Sequence, residues 1–166
     1  IEKDGLFSNL NKLQILQENY MCGIAGLYNS SLDNKMLEEI SSTMISQLSH
    51  RGPDGNSFKI IEQKNSNRTL LVHTRLSIID LSEAAVQPMT DNKGRVWITF
   101  NGEIYNHLEL RKELESLGAS FNSNSDTEVI IEAYKAWGLK CFDKFIGMWA
   151  LGLWDSEIDS LILSRD

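Results

Sequence analysis

Short apolar strand patterns cluster at both ends of this sequence, helical patterns lie between them, and no regular βαβ alternation links the two. This order constrains the fold most: it favours mainly antiparallel sheets with helices packed on them, an α+β chain. The strand patterns cover residues 22–28 (CGIAGLY), 58–62, 69–73 and 96–100 (VWITF), then a hairpin of 148–154 and 160–163 around 155–159. A helix is expected over 35–48, where Met36, Leu37, Ile40, Met44, Ile45 and Leu48 form one stripe. Two more helices are expected. One covers 108–117 and stops at Gly118; the other covers 127–137, is capped by Ser125 or Asp126, and stops at Gly138.

The chain has 166 residues, enough to bury roughly 70% of its unfolded surface without staples. It carries 16 basic and 23 acidic residues, net −7, and this balance argues against nucleic acid, whose phosphates need clustered Lys and Arg. Its longest strongly apolar run, 148–154, is far short of the ~20 residues that span a bilayer, so no membrane partner is expected. Cys22 and Cys141 lie far apart, as do His50, His73 and His107, so neither a disulfide scaffold nor a metal site is expected. A reducing cytoplasm is the expected compartment.

Residues 1–20 differ in character from the rest and read as an appendage, without the basic and apolar regions of a secretory signal. The sequence opens on Ile1 and reaches its first methionine at Met21. If Met21 is the translation start, its removal leaves Cys22 as the N-terminus. An α-amine of pKa about 7.7–8.0 and a thiol of about 8.5 then share one residue, a nucleophile with its own base. A cleaved propeptide is the second expectation and a retained, inactivating extension the third.

Three further segments offer chemistry, each with a plain structural alternative. Asn101-Gly102 is the strongest short hairpin signal. It is also a pair that could aim a side-chain amide and a backbone N–H at one oxyanion. Arg75 could be a solvated charge or a bidentate carboxylate clamp. Asp126 could be a first-turn helix carboxylate or the partner of an ammonium group. Arg75 and Asp126 together would read both charges of a free amino acid.

The segments MCGIAGLY, HRGPDG, HTRLSIID, FNGEIYNH and SDTEVI occur in this order. Together they resemble the glutaminase domain of glutamine-hydrolysing asparagine synthetases. That domain is a class II glutamine amidotransferase of the N-terminal nucleophile hydrolase fold, a four-layer αββα sandwich of two mainly antiparallel sheets. The resemblance covers 21–166 and implies roles residue by residue. Cys22 matches the nucleophile, and Asn101 and Gly102 match the oxyanion donors. Arg75 matches the α-carboxylate clamp, and Leu76, Ser77, Ile78 and Ile79 line the pocket with their backbone. Glu103 and Asp126 match the acids around the substrate amine. His50, His73 and His107 match no catalytic role, and Cys141 reads as a core thiol.

The resemblance implies hydrolysis of L-glutamine through a γ-glutamyl thioester, with no metal or cofactor for this half-reaction. It further implies a domain truncated before a C-terminal synthetase domain, whose ATP and Mg would serve asparagine synthesis from aspartate. A homodimer is among the expected assemblies. Three alternatives stay open: a catalytically silent partner-binding domain of the same fold, an amidotransferase for another carboxylate, and an acylase of the same hydrolase fold.

Overall fold

The computed structural model describes residues 22–76 and 86–166. The chain runs β1 (Gly23–Ser30), α1 (Asn34–Leu48), β2 (Gly55–Glu62), β3 (Arg68–Arg75), β4 (Met89–Thr90) and β5 (Val96–Ile104). It continues through α2 (His107–Ser116), α3 (Asp126–Trp137), a 3₁₀ helix (Gly138–Lys144), β6 (Gly147–Asp155) and β7 (Ser160–Arg165). One sheet has the order β1-β3-β2 and the other β4-β5-β6-β7; every pairing is antiparallel. The expected mainly antiparallel arrangement is therefore observed.

The layers follow from the period-two alternation of strand side chains. On β3, Leu70 and Val72 bury themselves against α1 with Leu37, Ala25 and Leu27. Leu71 points the other way and packs with Ile61 and Trp154 between the sheets. On β5, Val96, Ile98 and Phe100 join Leu110 and Leu114 of α2 and Val129 and Ile130 of α3. Trp97 faces the inter-sheet cluster instead. Helix, sheet, sheet and helix thus stack in the αββα order.

Helix boundaries fall within one residue of the expected ones, and side-chain caps mark the starts of α1 and α3. Asp33 accepts the N–H of Met36 at 2.8 Å at the start of α1, and Ser125 accepts that of Thr127 at 3.1 Å at the start of α3. Asp126 is the first helical residue, so Ser125 is the cap of the two considered.

One expectation fails. Asn101-Gly102 is not a hairpin turn: β5 runs through it to Ile104, with Asn101 opposite Ala150 and Gly102 opposite Trp149. Gly102 has φ +150°, and a Cβ there would fall on the Met148 carbonyl and lie 2.7 Å from Trp149 Cα. Glycine at this place permits a close strand crossing and not a reversal.

Candidate active site

Strand alternation decides which side chains can meet. Odd-numbered residues of β3 after Leu71, namely His73 and Arg75, share the face directed at the second sheet. On β5 the same rule places Thr99 and Asn101 with Trp97, facing the first sheet, and Thr99 Oγ1 donates to the Val72 carbonyl at 3.0 Å across the gap. On β1, Ala25 and Leu27 face α1, whereas Tyr28 meets Trp154 between the sheets. Cys22, one residue ahead of β1, falls on that inter-sheet side. The nucleophile candidate, the clamp candidate and the oxyanion candidate are therefore carried on one interface.

The local contacts around Cys22 are polar and specific. Its half-exposed Sγ accepts the N–H of Leu76 at 3.4 Å, and Arg51 Nε donates to its carbonyl at 3.3 Å. Arg51 belongs to the Arg51-Gly52-Pro53-Asp54-Gly55 turn, which also grips β3. Asp54 N–H donates to the Arg75 carbonyl at 3.0 Å, and Gly52 lies so close that a Cβ would reach Arg75 N at 2.6 Å. This turn thus holds the backbone at both Cys22 and Arg75. Leu76 sits at the cysteine as expected; Ser77, Ile78 and Ile79 lie outside the described residues.

A second cluster forms where β5 meets α3. Asp126 Oδ2 accepts the N–H of Ile104 at 3.0 Å, and Glu103 is near enough to raise its charge cost. Burial pushes the Asp126 carboxyl above its ordinary 3.8, opposed by the Ile104 N–H, His107 and the Thr127 N–H. His107 Nδ1 lies 2.9 Å from the Ile104 carbonyl, and Asn106 Oδ1 accepts the N–H of Ile146 at 3.0 Å. These two side chains brace the end of β5.

Between the clusters stands His73. It is 2% exposed, and its ring hydrogen-bonds the Phe100 carbonyl, joining β3 to β5 just before Asn101. Burial pushes the ring down from 6.5 to about 4; the Phe100 contact opposes this and the Arg75 charge adds to it. His73 matches no catalytic role in the motif resemblance, and no local sequence signal marks Arg51. A separate apolar cavity of about 310 Å³ between β1 and β6–β7 is lined by Tyr28, Leu151, Leu161 and Leu163, and by none of the candidate site residues.

No group of three or more His, Cys, Asp or Glu that could hold a metal occurs among the described residues. No helix among them is long and apolar enough to cross a membrane. Cys141 is fully buried in the core of the second sheet, and burial pushes its thiol up to about 12.

Residues 21–166 match the family described as "Glutamine amidotransferase domain". The chain belongs to this family.

Its relatives include the probable asparagine synthetase [glutamine-hydrolyzing] of Schizosaccharomyces pombe, 36% identical over 146 residues, 88% of this chain and 25% of the relative. Asparagine synthetase B [glutamine-hydrolyzing] of Escherichia coli is 35% identical over 146 residues with the same two coverages. Amidase chry2 of Gibberella zeae is 36% identical over 136 residues, 81% of this chain and 19% of the relative. The chain thus spans about a quarter or less of these proteins' length. Among solved structures, the glutamine phosphoribosylpyrophosphate amidotransferase of B. subtilis, complexed with ADP and GMP, superposes with a TM-score of 0.64 at 19% identity. That match covers 88% of this chain and 37% of the other, and it shows the fold.

Proposed function

We propose that this domain hydrolyses L-glutamine to L-glutamate and ammonia, with Cys22 as an N-terminal nucleophile. One observation carries the reading: the inter-sheet face of a glutamine amidotransferase domain carries Cys22, Arg75 and Asn101, with the thiol against the Leu76 N–H. In this reading the Cys22 α-amine, through a water, takes the thiol proton, and the thiolate attacks the glutamine side-chain carbonyl. The Asn101 amide and Gly102 N–H receive the developing oxyanion, an interaction of which one donor is typically worth roughly 10²–10³ in rate. The amine returns the proton to the departing ammonia. Water then hydrolyses the γ-glutamyl thioester, releasing glutamate and restoring the thiol.

Arg75 clamps the α-carboxylate, Glu103 and Asp126 face the α-ammonium, and the backbone of 76–79 lines the pocket. The asparagine synthetase relatives support ammonia delivery to a C-terminal synthetase domain that uses ATP and Mg to convert aspartate to asparagine. A relative that is not named as an asparagine synthetase, amidase chry2, favours a second reading in which the final acceptor is a carboxylate other than aspartate. A domain placed at Met21 to Asp166 behind an appendage, in a cytoplasmic enzyme, completes the proposal.

The test is glutamate release from glutamine by protein whose first residue is Cys22. Turnover that disappears in Cys22→Ala supports the reading; no turnover by the folded, correctly processed protein favours a silent partner-binding domain.

A further inference from the structure

Strand β4 is only two residues long, Met89 opposite Ile98 and Thr90 opposite Trp97. The ladder therefore ends at Ile98, and the Phe100 N–H on the same edge of β5 needs another acceptor. Gln87 supplies it with its side chain: Oε1 accepts the Phe100 N–H at 2.6 Å. The other half of the same amide, Nε2, donates to Thr127 Oγ1 at 3.3 Å. The Gln87 carbonyl accepts the Ser57 hydroxyl from β2. Gln87 is 8% exposed and Thr127 2% exposed, so neither contact competes with bulk water.

Phe100 immediately precedes Asn101, and Thr127 immediately follows Asp126. We propose that Gln87 is a positioning residue of the glutaminase site: its buried amide ties the strand that presents the oxyanion donors to the helix turn that presents the ammonium-binding carboxylate. The proposal rests on the reading of Asn101, Gly102 and Asp126 given above. An amide suits this place because one end must accept and the other donate; an apolar side chain of equal length would leave a buried backbone N–H unpaired. Misplacement of reacting groups by an ångström is worth about 100-fold in rate.

The two arms of the amide separate in kinetics. Gln87→Met cuts both, so kcat falls about 10- to 100-fold and KM for glutamine rises. Thr127→Val cuts only the arm to α3, so KM rises while kcat stays within about twofold of wild type, because the Phe100 contact is intact. Gln87→Glu keeps an acceptor for the Phe100 N–H and can accept from the Thr127 hydroxyl, and it recovers most of the rate.

The experiment measures kcat and KM of these variants in protein beginning at Cys22, together with amide hydrogen exchange at Phe100. Slower turnover of Gln87→Met with faster Phe100 exchange supports the proposal. Wild-type kcat in Gln87→Met, or equal losses of kcat in Thr127→Val and Gln87→Met, overturns it. Should Gln87→Met fail to fold, Thr127→Val decides: a raised KM for glutamine at near-wild-type kcat supports the proposal, and an unchanged KM overturns it. If wild-type protein does not hydrolyse glutamine, the glutaminase reading falls separately. Phe100 exchange then decides alone: unchanged exchange in Gln87→Met overturns the tie, and faster exchange supports it.

Discussion

The Thr74 hydroxyl accepts the N–H of Gly23 at 3.1 Å and donates to the Leu48 carbonyl at 3.3 Å. The residue after the nucleophile is thereby tied at once to β3 and to the end of α1. Thr74 is fully buried, and its replacement by valine keeps the shape but leaves the Gly23 N–H unpaired, while the Leu48 carbonyl keeps the N–H of Arg51 at 2.9 Å. Thr74→Val is expected to lose about 1–3 kcal/mol of stability in urea unfolding. Its glutamine turnover should fall by more than its KM changes, since Cys22 is displaced while Arg75 keeps its own backbone contacts.

Gly102 combines positive φ with a strand crossing that has no room for a Cβ. Gly102→Ala is therefore expected to cost about 1–3 kcal/mol through backbone strain alone. It should also slow glutamate release roughly 100-fold by moving an oxyanion donor. Unfolding and rate measurements on the same preparation check both figures; a near-wild-type rate would remove Gly102 from the oxyanion site.

His73 makes stability depend on pH in a defined window. The unfolded ring titrates near 6.5 and the folded one near about 4. Below pH 6.5 the unfolded chain takes up a proton that the folded chain does not bind until pH about 4, so acidification favours unfolding throughout that interval. The loss reaches about 3 kcal/mol by pH 4. His73→Gln, which does not titrate, should lose that much less between pH 6.5 and 4 in denaturant unfolding; parallel curves for the two proteins would contradict the assignment.

The two thiols should separate in a labelling experiment. Cys141 has no exposure, and burial pushes its thiol up to about 12, whereas Cys22 is partly exposed. Iodoacetamide at neutral pH is expected to label only Cys22 in folded protein and both residues after unfolding. Peptide mass analysis gives the site, and comparable labelling of Cys141 in the folded state would show that the core of the second sheet opens.

Much of this was legible in the residues themselves. Helix α1 announced its apolar stripe and α3 its cap, because the helical period and the caps are local signals. The strand VWITF was equally plain, yet its end was not. Asn101-Gly102 carries the local signature of a turn, and only the distant partners Trp149 and Ala150 keep it in the sheet. Arg51 and Gln87 escaped for the same reason. Arg51 reaches a carbonyl 29 residues away, and Gln87 bonds groups 13, 30 and 40 residues distant, so nothing in their neighbourhood marks them. The site candidates came from a resemblance of motifs. The interface that gathers Cys22, Arg75 and Asn101 came from the two-sheet packing.

The most direct measurement is the intact mass of protein beginning at Cys22, quenched in acid while it turns over glutamine, followed by peptide mapping. The account predicts a fraction heavier by one γ-glutamyl group, located on the peptide that starts with Cys22 and absent from Cys22→Ala. Turnover without that adduct, or an adduct on another residue, would contradict it.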